Sequence, residues 1–151
     1  MIKSIYVSLP VKDLEASTEF ISKVFGAEKI SDFSSETTSL IPLNPVIFLA
    51  LMTEQKFSGY LKDGTIVAAP EASPTAVETM LAVNVDTHDE VEQVLARALQ
   101  SGGQPWTGVF EMGTSHCATF LDPDGHIWEV IYHPNPYWEG SLQNSVTAIT
   151  S

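Results

Sequence analysis

One cysteine, Cys117, and one arginine, Arg97, are all that the 151 residues hold of either type. A lone cysteine excludes an intrachain disulfide and any cysteine-rich zinc knuckle. Seven Lys and Arg stand against 19 Asp and Glu, a formal net charge of -12. That balance argues strongly against nucleic acid, whose binding depends on clustered cations. It also weighs against a ligand bearing several carboxylates or phosphates, which an arginine fork ordinarily grips. No apolar run approaches the roughly 20 residues that a membrane span requires. The opening MIKSIYVSLPV alternates from its start and lacks the basic-then-apolar layout of a secretory signal, so a cytoplasmic location is expected.

What is present is a globular pattern. The length suits one domain that buries a core without staples. A hydrophobic share of 44% fits a folded chain rather than a disordered one.

IKSIYVSLPVKD alternates, with Ile5, Val7, Leu9 and Val11 on one face and Tyr6 and Ser8 on the other: a half-buried strand. Asp13 can cap a helix over LEASTEFISKVFG, whose Leu14, Ile21, Val24 and Phe25 share a face and which Gly26 ends. EKISDF and TTSLIPL read as weak strands. NPVIFLALM reads as a stronger one, with Phe48 and Ala50 opposite Ile47, Leu49 and Leu51. Residues 53–78 carry Gly59, Gly64, Pro70 and Pro74, the composition of a lid, linker or partner contact, with a short helical turn near Gln55 to Leu61.

The opening pattern then returns. TMLAVNVD alternates, placing Met80, Ala82 and Asn84 opposite Leu81, Val83 and Val85. Thr87 and Glu90 form a capping box for HDEVEQVLARALQSGG, the clearest helix in the chain. QPWTGVFEM, HCATFL and HIWEVIYH are further strands, the last two joined by a tight DPDG turn at Asp122 to Gly125. A shift of 74 lays Tyr6 on Met80, Ser8 on Ala82 and Val11 on Val85. The expected fold class is therefore α+β: two βαβββ units in a curved, partly open mixed sheet. Unit one covers about 1–66, a linker about 67–78, unit two about 79–133 and a tail 134–151.

Glu129 sits between Trp128 and Val130 in an apolar run. If the helix covers Trp128, Val130 and Tyr132, Glu129 projects to the open, concave side. A buried acid needs a partner or a task.

The two units, SLPVKDLEASTEFISKVFGAEK near the start and FLDPDGHIWEVI near the end resemble the vicinal oxygen chelate superfamily over residues 1 to about 133. That group includes glyoxalase I, extradiol dioxygenases and the fosfomycin and bleomycin resistance proteins. HIWEV and the long first helix look like its lactoylglutathione lyase-like members. The resemblance implies a dimer whose pairing closes the cavity. It also implies a metal held by one side chain from each of four strands, at positions that here are Tyr6, Phe48, Met80 and Glu129. Only Glu129 among these is an ordinary ligand. The expectation is a site without metal or other cofactor, unless Glu129 joins a rebuilt one.

The expected pocket is apolar: Tyr6, Phe48 and Met80, with Ser8, Ala50, Ala82 and Asn84 around them. Cys117 and Thr119 match lining positions in the resistance-type relatives. Such walls suit a small, largely uncharged organic ligand. Glu129 and Tyr6 are the candidates for orientation or acid–base chemistry. Two alternatives stand beside this reading. One is a metal-dependent lyase or isomerase using Glu129 with His116 or His133. The other is a structural or regulatory dimer with a filled cavity. Parity turns His116 away from the cavity, and His126 and His88 are expected at the surface. Tyr137 and Trp138 in the tail suggest docking on the body or on a partner.

Overall fold

Asp13 caps the first helix as its residue type predicts: its side chain accepts from the Ala16 N–H, and Gly26 closes the helix with φ 68°. Thr87 and Glu90 form the reciprocal capping box at the other long helix. The computed structural model describes residues 2–68 and 74–134. Residues 135–151 of the tail, with Tyr137 and Trp138, and 69–73 of the linker lie outside the described residues.

The elements run β1 (Ile5–Val11), α1 (Leu14–Phe25), β2 (Thr38–Pro42), β3 (Ile47–Thr53), α2 (Glu54–Ser58), β4 (Met80–Val85), α3 (His88–Gln100), β5 (Gln104–Met112), β6 (Ser115–Leu121) and β7 (Ile127–Tyr132). They form two mixed sheets that do not close, ordered β1-β3-β2 and β4-β7-β6-β5. In each sheet the unit's first strand runs parallel to its last, and the other pairings are antiparallel. The fold class is α+β, as the repeat implies.

Unit one has three strands where four are expected. EKISDF forms a 3₁₀ turn at Ser31–Phe33 instead. It still sits where a fourth strand would, beside β2: the Ile30 N–H donates to the Leu40 carbonyl at 2.8 Å. The Ser34 hydroxyl accepts from the Leu40 N–H at 3.2 Å. A side-chain oxygen has taken over a ladder partner's role, which is how serine competes with regular pairing.

One core joins the two units. Leu9, Val11, Leu49 and Leu51 from the first sheet meet Ala118, Phe120, Trp128 and Val130 from the second, with Phe20, Ile21, Val24, Val91, Val94 and Ala98 from the helices. Phe25 packs on Trp128 with ring centroids 4.8 Å apart. Arg97, the sole arginine, is used here: its Nε donates to the Val24 carbonyl at 3.0 Å, tying α3 to α1. Gly103 permits the close return of the chain after α3. A Cβ there would lie 2.8 Å from the Leu121 carbonyl oxygen and 2.9 Å from that of Ala98.

The DPDG turn ties the halves together. Asp122 Oδ1 accepts the N–H groups of Asp124, Gly125 and His126, each at 3.0 Å. Its Oδ2 accepts the Trp128 indole N–H at 3.2 Å. Gly125 takes φ 99°, a backbone conformation that side chains resist. Expected in solvent, His126 is instead half-buried: its Nε2 donates to the Pro10 carbonyl of β1 at 2.9 Å. The turn delivers it to the other unit, a contact no local pattern specifies.

Candidate functional site

The helix-covered faces take Trp128 and Val130 into the core, with Tyr132 packed against it. Alternation then sends Glu129 to the opposite face, as the sequence implies. There it lies across from Ala82 on β4 and Thr119 on β6. Glu129 is buried at 8% exposure, and among the described residues no hydrogen bond or ion pair reaches its carboxylate. Thr119 is not its partner. That hydroxyl is engaged by Thr107, through its N–H at 3.0 Å and its Oγ1 at 2.5 Å.

Tyr6 and Phe48 lie side by side on neighbouring strands, and their rings stack with centroids 5.1 Å apart and planes 16° from parallel. Ser8 lies across from Ala50 in the same register. In the second unit Met80 faces Ile127, and Glu129 faces Ala82 one pleat further on. The two units therefore differ in detail. Where Tyr6 has Phe48 as its direct neighbour, Met80 has Glu129 diagonally. Asn84 continues the exposed edge of β4.

Cys117 and Thr119 on β6 share a face with Glu129 of the neighbouring β7, and both are buried. Burial pushes the Cys117 thiol above its ordinary value, and the neighbouring carboxylates of Glu129 and then Glu111 push it further. Both effects disfavour the thiolate, the form in which a cysteine acts as a nucleophile. Phe110 on β5 lies opposite Cys117 and Ile127 opposite Met80, so both join this face. Phe110 is not apparent from the sequence, because its place opposite Cys117 depends on strand register, whereas Ile127 follows from its parity with Glu129.

In the single chain these residues line open sheet faces. Tyr6 is 57% exposed and Met80 49%. A separate cavity of about 780 Å³ lies between the end of β1, α2, the DPDG turn and linker residues 65–68 and 74–79; Ser8 alone among the expected pocket residues lines it.

A family model described as the Glyoxalase/Bleomycin resistance protein/Dioxygenase superfamily matches residues 3–130. The chain belongs to that superfamily. Solved structures agree on the fold. A glyoxalase-related enzyme from Fulvimarina pelagi is 26% identical, with a TM-score of 0.72 and coverage of 89% of this chain and 90% of that one. The fosfomycin resistance protein from Mesorhizobium loti is 18% identical, with a TM-score of 0.62 over 88% of this chain and 94% of its own. A lactoylglutathione lyase from Agrobacterium tumefaciens is 20% identical, with a TM-score of 0.61 over 85% and 91%. No curated protein matches the chain significantly.

A glyoxalase-superfamily metal at Tyr6, Phe48, Met80 and Glu129 does not fit these side chains. A divalent ion of the zinc type takes three or four nitrogen, oxygen or thiolate ligands. Phe48 has no donor atom, its ring is stacked on Tyr6, and Met80 offers only a thioether. Nor can His116 come to the aid of Glu129. It points to the other face of β6, under α3, with Nδ1 2.6 Å from Glu111 Oε1. Among the described residues no helix is long and apolar enough to cross a membrane.

Proposed function

We propose that this superfamily member binds a small, largely uncharged organic molecule against the Tyr6–Phe48–Met80 surface, without a metal there. The observation that carries the reading is the stacked Tyr6–Phe48 pair, an aromatic platform at positions where metal-using relatives need ligands. A flat or partly apolar molecule gains most from such a surface, since aromatic stacking adds to the area it buries. Glu129 supplies a carboxylate with no hydrogen bond from the described residues, available to accept a donor on the ligand. Met80 adapts to irregular shapes.

The same reading calls for a second copy of the chain. The faces of both sheets are open, and half-exposed Tyr6 and Met80 would be covered when units from two protomers come together. A pair of chains turns two open surfaces into enclosed pockets.

The test is a thermal-shift screen of chelator-treated protein against flat aromatic and aldehyde compounds, followed by calorimetry on Glu129→Gln and Phe48→Ala. The expected result is a set of hits whose affinity falls in both variants. A complete absence of hits sinks the reading in favour of a filled, structural dimer. A stoichiometric ion that is lost in Glu129→Gln sinks it in favour of a metal-dependent lyase or isomerase.

A further inference from the structure

On the other side of the second sheet, three potential ligands converge from three elements. His88 opens α3, Glu111 lies in β5 and His116 in β6, and each offers a donor atom within 4.8 Å of the other two. Glu111 and His116 are cross-strand neighbours, and the His88 ring stacks on His116 with centroids 3.7 Å apart and planes at 14°.

His116 is unusual among these. It is 5% exposed, and its two ring nitrogens both look toward carboxylates. Nδ1 is hydrogen-bonded to Glu111 at 2.6 Å. Nε2 is shut off from solvent and makes no hydrogen bond; the Glu92 carboxylate comes to 3.5 Å of it without hydrogen-bonding geometry. Leaving a buried ring nitrogen unpaired costs stability. An imidazole framed by carboxylates and held rigidly by packing is also the arrangement that orients a metal-binding histidine.

We propose that His88, Glu111 and His116 bind one divalent transition-metal ion of borderline softness, Zn²⁺ being the representative, with Glu92 close enough to orient His116. Two imidazoles and one carboxylate form a ligand set that suits Zn²⁺ and leaves a fourth position for water. Near-parallel rings point their lone pairs side by side, so closing on an ion requires His88 to tilt out of the stack. Its side chain is 54% exposed, and the tilt has to release only the 3.6 Å approach of its Nδ1 to Asp89 Oδ1 and an edge contact with Tyr132. The amino-terminal end of α3 disfavours a cation at His88. Asp89, Glu90 and Glu92 in the same first turns, with Glu111 opposite, outweigh that with formal negative charge. The site is independent of the Glu129 face, since the second sheet separates the two, and Tyr6 and Phe48 belong to the other sheet. Its effect is to clamp the start of α3 to the β5–β6 hairpin.

The test is calorimetric titration of chelator-stripped full-length protein with Zn²⁺, with Co²⁺ absorption as a spectroscopic check of nitrogen ligation. Wild type is expected to take up one ion per chain and to melt at a higher temperature with it. His88→Ala changes an exposed residue and should weaken binding by at least about tenfold. Glu111→Gln, also on an exposed side chain, should do the same, so that a folding defect in either variant leaves the other to decide. Glu129→Gln should bind as wild type. Absence of saturable binding, wild-type affinity in both His88→Ala and Glu111→Gln, or loss in Glu129→Gln would each overturn the proposal.

Discussion

Ser17 Oγ donates to Asp124 Oδ2 at 2.6 Å, joining the first helix to a turn 107 residues away. Asp124 Oδ1 also accepts the Lys12 N–H at 2.8 Å. The second acid of DPDG is therefore a latch between the units. Losing it strands two donors, one of them buried, and Asp124→Ala is expected to destabilise by about 3 kcal/mol. Ser17→Ala should cost about 1 kcal/mol, and a double-mutant cycle by urea denaturation should show coupling. Additive losses would show that the two side chains act separately.

Asp122 gives a pH signature. Burial pushes its carboxyl above the ordinary value of 3.8; His126, the Trp128 N–H and the His126 N–H pull the other way, and burial is the larger effect. The folded state then holds the proton more tightly than the unfolded one. The contribution is complete below the unfolded value and is lost as pH rises through the folded value. Melting of wild type and Asp122→Asn between pH 3 and pH 7 checks this. The wild-type advantage should shrink as pH rises; an advantage that grows would mean the N–H donors dominate.

Cys117 should be silent in the native protein. It is fully buried, and burial together with Glu129 and Glu111 keeps the thiol protonated to higher pH than usual. A disulfide reagent at pH 8 is expected to react only at the rate of opening and to react fully in guanidinium. Rapid stoichiometric reaction of the folded chain would place an access route beside Glu129.

Phe48→Ala removes one member of the aromatic platform. Given the worth of an aromatic pair beyond its buried area, ligand affinity should fall by roughly 1 kcal/mol, or about fivefold, in a calorimetric titration with any hit from the screen. Unchanged affinity would move the binding surface away from the Tyr6–Phe48 pair.

Much of this was legible before any coordinate. Asp13, Gly26 and the Thr87–Glu90 box mark helix ends because capping is chemistry among residues a few positions apart. Trp128, Glu129 and Val130 declare their faces by alternation alone. The repeat and the DPDG turn carried the resemblance to the superfamily, and the family model bears it out. EKISDF failed as a strand because Ser34 supplied its own hydrogen bond to β2, a choice that propensity does not resolve.

The sequence by itself determined both long helices, each strand except the one expected at EKISDF, the inward faces of the alternating ones and the lack of nitrogen or carboxylate donors at Tyr6, Phe48 and Met80, since these depend on residue type and local period. Only the tertiary structure decided that Glu129 faces Ala82 rather than Met80 and that Asp124 latches Ser17. It alone decided too that His88, Glu111 and His116 converge. Register and the approach of a helix end to a hairpin are set by packing between segments far apart in the chain, and no short window of sequence carries that distance.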